Sequence, residues 1–312
     1  MTEKILITPK SFKTYKHKAY PILKEAGYEI IENTLGRTMT ENEIIDLAKR
    51  DVIGIIVGVD PLPAGVLEQC KDLKAISKYG VGMDNIDLDK AKDLGIKVKN
   101  ALGTNNISVA ELAIGLMFAV YRNIPSISSG VKSGSWERVI GSELTGKSLG
   151  LLGGGQIGKE VAKRARGLEM KVSIYDPYFN DESFLKQYEI EICRQFNDFI
   201  SDSDIISLHL PVTPETKGII NKSVFELMKP SAILINTSRG DLVDEEALYE
   251  ALSKKRIAGA AHDVLSIEPP SKDEKLLMLN NFILTPHIGA FTHEAVEKMV
   301  LVSTHNLLEM LR

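Results

Sequence analysis

The run Ser148-Leu149-Gly150-Leu151-Leu152-Gly153-Gly154-Gly155-Gln156-Ile157-Gly158, followed by a helix-like stretch and then Lys171-Val172-Ser173-Ile174-Tyr175-Asp176, reads as strand, glycine turn, helix, strand and acid. Gly153 permits a tight turn out of the strand, and Gly155 lets the backbone approach a pyrophosphate. Gly158 lets the helix opened by Gln156 and Ile157 pack closely on the sheet. An anion there meets unpaired helix N–H groups at the positive end of the helix dipole. Asp176 is suited to accept hydrogen bonds from both hydroxyls of an adenosine ribose and to repel a 2′-phosphate. No arginine occurs in Tyr175-Asp176-Pro177-Tyr178-Phe179, so NAD is expected over NADP. Glycines collect at any tight strand-to-helix turn, and the assignment rests on strand, helix and acid being in place together.

Three polar residues of the last third stand where side chains reach a sheet's carboxyl edge or in a proline-flanked loop. Arg239 ends Ile235-Asn236-Thr237-Ser238-Arg239-Gly240, and its planar guanidinium suits a bidentate grip on a carboxylate. The plain alternative is a surface arginine capping a strand. His287 follows Phe282-Ile283-Leu284-Thr285-Pro286, and an imidazole is the natural group to exchange a proton with a substrate hydroxyl, although a lone histidine is more often structural. Glu268 precedes Pro269-Pro270 in a stiffened loop. A carboxylate beside an imidazole fixes its tautomer and favours its charged form, whereas a glutamate alone in a loop is usually only solvated.

Such residues need a sheet to hold them. Runs at Lys4–Thr8, Val52–Val57, Ala75–Ser77 and Ile96–Val98 alternate with amphipathic stretches such as Tyr20–Ala26 and Glu43–Arg50, which argues for a parallel sheet covered by helices. The pattern repeats with strands expected at Leu149–Leu152, Val172–Tyr175, Ile205–Leu208, Ala232–Asn236, Ala258–Asp263 and Phe282–Leu284, a second and larger sheet. Between them Ile107–Tyr121 carries apolar residues on more than one stripe and is expected to be buried on several sides. Gly130–Ser135 reads as a Gly/Ser-rich loop ending at Trp136, the only tryptophan. The final helix is expected over about Glu294–Leu311, with Thr292 as N-cap and an early glutamate.

A chain of 312 residues, 44% hydrophobic and 26% charged, is long enough for two domains with separate cores. Its net charge of −4 and scattered lysines give no basic footprint for nucleic acid. Cys70 and Cys193 are too few for a disulfide framework or a zinc site, which fits a reducing cytosol, and no metal is expected. No leader precedes the first strand, and no apolar run approaches the roughly 18 residues of a membrane span, so a cytoplasmic protein without membrane partners is expected.

Seven ordered segments together resemble the D-isomer-specific 2-hydroxyacid dehydrogenases over essentially the whole chain. They are Lys78-Tyr79-Gly80-Val81-Gly82-Met83-Asp84-Asn85-Ile86-Asp87, Asn105-Asn106-Ile107-Ser108-Val109-Ala110-Glu111, the glycine turn, His209-Leu210-Pro211, Asn236-Thr237-Ser238-Arg239-Gly240, Asp263-Val264 with Glu268-Pro269, and Pro286-His287-Ile288-Gly289. The resemblance assigns Arg239 to carboxylate binding, Glu268 to orienting the base and His287 to acid–base work. It makes the backbone of Val81 and Gly82 a second carboxylate clamp, with Lys78 nearby as a substrate-binding residue. It places Thr104 or Ser108, His209 to Pro211, Thr216, Thr237, Asp263 and Gly289 along the cofactor, Asp263 receiving the nicotinamide carboxamide.

The resemblance implies an α/β chain of two Rossmann-like, doubly wound parallel-sheet domains, the NAD-binding one (102–288) inserted into a flavodoxin-like substrate domain (1–101 with 289–312). The reaction implied is hydride transfer between NAD(H) and a small 2-hydroxy or 2-oxo acid, with His287 supplying or taking the proton. The helix Ile107–Tyr121 and the loop with Trp136 are expected to form a homodimer interface. The first two motifs look most like phosphoglycerate dehydrogenase. In place of the arginine usual there after the third strand, however, the chain reads Ile55-Ile56-Val57-Gly58-Val59-Asp60-Pro61. Asp60 is expected to repel a substrate phosphate unless Lys78 or another cation compensates, leaving hydroxypyruvate, glyoxylate or another 2-oxo acid as the alternative substrate. No serine-sensing regulatory domain is expected after the final helix. A reading of another class is an NADH-sensing corepressor, against which the intact Arg239, Glu268 and His287 argue.

Overall fold

Short runs of aliphatic and β-branched residues build two sheets in which every pairing is parallel. The computed structural model describes every residue from Thr2 to Arg312 except Arg50, so Met1 and the last residue of the expected helix Glu43–Arg50 lie outside the described residues. The first sheet holds β1 (Lys4–Ile7), β2 (Glu29–Glu32), β3 (Val52–Val57), β4 (Ala75–Lys78) and β5 (Lys97–Asn100), in the order β2-β1-β3-β4-β5. The second holds β6 (Ser148–Leu152), β7 (Lys171–Tyr175), β8 (Glu191–Ile192), β9 (Ile205–Leu208), β10 (Ile233–Asn236), β11 (Gly259–His262) and β12 (Phe282–Leu284), in the order β12-β11-β10-β9-β6-β7-β8. The first order is the flavodoxin-like one, and the second is a Rossmann order with an added strand. Strand direction of travel reverses at β1/β3 and at β6/β9, the crevices where such sheets bind ligands.

β3, β4, β9, β10 and β11 are buried along their whole length, as central strands covered on both faces must be. Two strands were not expected from sequence. β2 is an edge strand bounded by glutamates and partly exposed, and β8 has only two residues. The helix expected at Tyr20–Ala26 begins earlier, at Lys16, and that expected from Glu43 starts at Glu41 behind a Thr40–Glu43 capping box.

The chain divides into two compact units, Met1–Asn105 with Ala290–Arg312, and Asn106–Gly289. In the first unit the helix His293–Leu311, capped by the Thr292 side chain, lays Val296, Met299, Val300 and Leu307 on Ile5, Ile7, Ile53 and Ile56. Gly54 of β3 makes room for it: a Cβ there would stand 2.8 Å from Ile5 and 3.1 Å from Leu307.

In the second unit the helix Asn106–Tyr121 buries Val109, Ala110, Ala113, Leu116 and Met117 against the helix Gln156–Gly167 and β10 to β12. The expected Gly130–Ser135 loop is corrected at its first three residues, while Ser133 to Ser135 are non-helical as expected. The helix Ile124–Lys132, opened by Pro125, runs through Gly130, and Ser133 caps it by donating its N–H to the carbonyls of Ser129 and Gly130. A helical glycine costs about 1 kcal/mol against alanine, and the bonded carbonyls at this C-terminus work against that cost. The irregular segment that follows exposes Trp136 and Ile140. Among the described residues no single helix is long and apolar enough to cross a membrane, and no cluster of three or more His, Cys, Asp or Glu side chains could hold a metal ion.

His262 of β11 is fully buried edge-on to Phe282, and neither ring nitrogen has a partner among the described residues. Burial pushes its pKa down to about 3. The unfolded chain therefore binds more protons than the folded one between the ordinary histidine value and that figure. Stability falls as pH drops through this window, by up to about 1.4 kcal/mol per pH unit. Urea titrations from pH 8 to pH 4 are expected to show a shallower acid limb for His262→Leu than for the wild type; equal slopes would remove His262 from the account.

Candidate active site

The glycine turn is a matter of backbone meeting backbone. Gly153 has φ +103, and a Cβ on it would fall 2.4 Å from the His209 carbonyl oxygen; one on Gly158 would fall 2.3 Å from that of Gly153. Gly158 thus seats the helix against the turn itself. Gly155, the N-cap of the helix Gln156–Gly167, is exposed, and a Cβ there would meet nothing within 4 Å. It lines an open cradle at the helix N-terminus. Gln156 accepts a hydrogen bond from Asn106 Nδ2 at 2.6 Å, and Ile157 packs on the core beneath. Asp176 accepts from the N–H groups of Gly154 and Tyr178, each at 2.9 Å, which holds its carboxylate beside the turn.

Next to the turn lies the segment after β9. The ring of His209 has Nε2 2.9 Å from Ser207 Oγ, its Nδ1 has no partner among the described residues, and burial lowers its pKa to about 3, so it is neutral near pH 7. Leu210 touches the turn, its Cδ2 lying 3.0 Å from where a Gly153 Cβ would be. Thr216 donates to the Pro211 carbonyl at 2.7 Å and accepts from Thr213 N, so it shapes that loop. Ser108 donates to the carbonyl of Gly289, tying the helix Asn106–Tyr121 to it, and in the first unit Thr104 donates to Ala101 O. The hydroxyl of Thr237 is buried without a partner among the described residues. The open cradle, the placed carboxylate and the unmatched Thr237 hydroxyl and His209 nitrogen fit a bound dinucleotide.

Arg239 stands in a turn folded by Asn236, the fully buried last residue of β10. Asn236 Oδ1 accepts from Ser238 N at 3.0 Å, and its Nδ2 donates to the Arg239 carbonyl at 2.8 Å. Arg239 Nη1 donates to Ser238 O. His287 follows β12 in the left-handed region, φ +54, with Nδ1 2.7 Å from Glu268 Oε2. The other Glu268 oxygen accepts from Leu265 N at 3.0 Å. Burial of Glu268 opposes its charge. The hydrogen bond and charge of His287, the Leu265 N–H and the charge of Arg239 together prevail and hold the carboxyl below its usual range. The structure therefore brings Arg239, Glu268 and His287 together.

Asp263, 1% exposed at the end of β11, accepts from Thr285 Oγ1, from Ile288 N at 2.9 Å and from Gly289 N at 2.7 Å. Its own carbonyl accepts from His287 N. Beyond the expected cofactor contact, its carboxylate braces the loop that carries His287. Asp263→Ala is expected to lower the unfolding free energy by about 3 kcal/mol, because buried N–H groups lose a charged acceptor. Urea denaturation measures the loss, and turnover should fall with it.

In the first unit, Val81 and Gly82 follow β4, and their N–H groups have no partner among the described residues. Lys78 is 6% exposed, and its ammonium donates to Gly58 O and to Asn85 Oδ1. The expectation for Asp60 is corrected. It is 2% exposed and accepts from Thr8 Oγ1 and from Met39 N, turned into the unit by those donors, so it presents no charge to a substrate.

Residues 114–289 match the family "D-isomer specific 2-hydroxyacid dehydrogenase, NAD binding domain". A hydroxypyruvate reductase of Thermotoga maritima is 43% identical across 91% of this chain and 94% of its own. The chain belongs to the D-isomer specific 2-hydroxyacid dehydrogenase family.

A D-3-phosphoglycerate dehydrogenase of Archaeoglobus fulgidus is 41% identical over 94% of this chain; the chain spans only 55% of that protein. The TT0316 protein of Thermus thermophilus superposes with a TM-score of 0.88 at 33% identity, over 99% of this chain and 96% of the other. The second unit carries the family's NAD binding domain, in agreement with the cradle at Gly155. Two residues behind the dehydrogenase site were not singled out in sequence for the parts they play. Asn236 was legible in principle, since an asparagine bonding the backbone two residues on is a recurrent turn former. Nothing in the sequence marked Asp263 as the brace of the His287 loop.

Proposed function

We propose that the chain is an NAD-dependent dehydrogenase of small D-2-hydroxy acids. The observation that carries this reading is the 2.7 Å pair of His287 Nδ1 and Glu268, with Arg239 close enough to help hold Glu268 charged. Bound NAD(H) supplies or accepts the hydride at C2 of the acid. Arg239 grips the carboxylate and polarises the C2 oxygen. Glu268 engages Nδ1, which leaves Nε2 of His287 to give a proton to the C2 oxygen in reduction and to take it in oxidation.

Phosphohydroxypyruvate is the first substrate to test, given the relatives named D-3-phosphoglycerate dehydrogenase. An unphosphorylated acid such as hydroxypyruvate or glyoxylate is favoured by one observation: the loop after β3 offers Gly58 and exposed Val59, while the Lys78 ammonium is turned onto Gly58 O and Asn85. NADH oxidation against these acids, pyruvate and longer 2-oxo acids separates the readings. Silence across the panel with tight NADH binding would instead favour the sensor. The exposed Trp136, Ile140 and Phe118 support a homodimer, which sedimentation would detect. A cytoplasmic location accords with free Cys70 and Cys193.

A further inference from the structure

The segment that presents Asp176 is locked to the glycine turn by a second set of contacts. The Phe179 ring lies over Gly154, where a Cβ would fall 2.2 Å from its Cδ2. Lys159, in the first turn of the helix Gln156–Gly167, places its ammonium 5.3 Å from the ring centroids of both Phe179 and Phe184. The same ammonium pairs with Asp181 at 2.5 Å. Asp181 in turn caps the helix Glu182–Tyr188, accepting from Phe184 N. The Lys159 ammonium is thus engaged by the loop and helix that follow Asp176.

A 2′-phosphate beside Asp176 brings two like charges together, which disfavours NADP only while the carboxylate cannot retreat. Retreat here requires breaking the Gly154 N–H bond, lifting Phe179 from Gly154 and separating Lys159 from two ring faces and Asp181. Resting on the reading of Asp176 as the ribose acceptor, we propose that Phe179 and Lys159 are specificity-determining residues that enforce the preference for NAD over NADP by pinning the Asp176 loop.

The test is the ratio of dissociation constants for NADH and NADPH, read by fluorescence titration without substrate, so that it is independent of turnover and of which acid is used. The wild type is expected to prefer NADH. Phe179→Ala and Lys159→Met should each reduce that preference roughly tenfold, chiefly by admitting NADPH, while Lys159→Arg, which keeps a cation over the rings, retains it. An unchanged ratio in both variants, even with a lower melting temperature, would reduce these contacts to ordinary packing and overturn the proposal. A wild type that binds both cofactors equally would overturn it together with the reading of Asp176. Should Phe179→Ala fail to fold, Lys159→Met decides alone, since that side chain is partly exposed and its removal opens no core.

Discussion

Replacing His287 with alanine is expected to lower turnover about a hundredfold or more, with NADH affinity unchanged. In the proposed mechanism this residue has one chemical task. Its Nδ1 is engaged by Glu268, its backbone N–H by the Asp263 carbonyl, and its left-handed conformation is held by the Asp263 carboxylate through the two residues that follow. What remains to be lost on truncation is proton exchange at Nε2. Steady-state NADH oxidation gives the turnover, and fluorescence titration gives the cofactor affinity. A loss smaller than about tenfold would point to another proton donor. Glu268→Gln is expected to cost roughly tenfold, because an amide can still orient the ring but cannot stabilise the imidazolium.

Arg239→Ala should lower kcat and raise KM for the 2-oxo acid together, reducing kcat/KM by about a hundredfold to a thousandfold. In the proposed mechanism the guanidinium has two duties, gripping the carboxylate and polarising the oxygen that gains charge, so ground-state and transition-state binding should both suffer. It also helps hold Glu268 ionised, so the loss extends to the base. Arg239→Lys should recover only part of the rate, since an ammonium cannot reproduce the planar fork. Wild-type-like kinetics in Arg239→Ala would mean that the arginine is only part of the turn that Asn236 folds.

The glycine turn was legible because its backbone geometry admits no other residue at Gly153 and Gly158. Long buried strands such as β3 and β10 were legible because their aliphatic runs have no other use. The edge strand β2 and two-residue β8 were not, since pairing to a neighbour rather than composition makes them strands. Gly130 misled for the opposite reason: local composition suggested a loop, while the helix runs through it to a C-terminus whose carbonyls are bonded by Ser133 N–H. At the site, the residue types of Arg239, Glu268 and His287 announced chemistry. The directions of buried polar groups could not be read in the same way. The position of Asp60 after β3 suggests a charge facing substrate, yet its carboxylate bonds Thr8 and Met39, and Asp263 braces the loop of His287.

The return of the final helix to the first unit fixes an order of events during synthesis. The face of the first sheet that holds Ile5, Ile7 and Ile56 is covered by Val296, Met299 and Leu307, which are translated only after residues 106–289. Residues 106–289 are all translated before that cover exists, so the inserted unit has its full sequence earlier than the unit surrounding it. The unit that begins the chain is therefore the later of the two to have its full sequence. Until the helix His293–Leu311 emerges, the nascent chain carries an uncovered apolar sheet face, and a pause in translation before that helix would prolong the exposure.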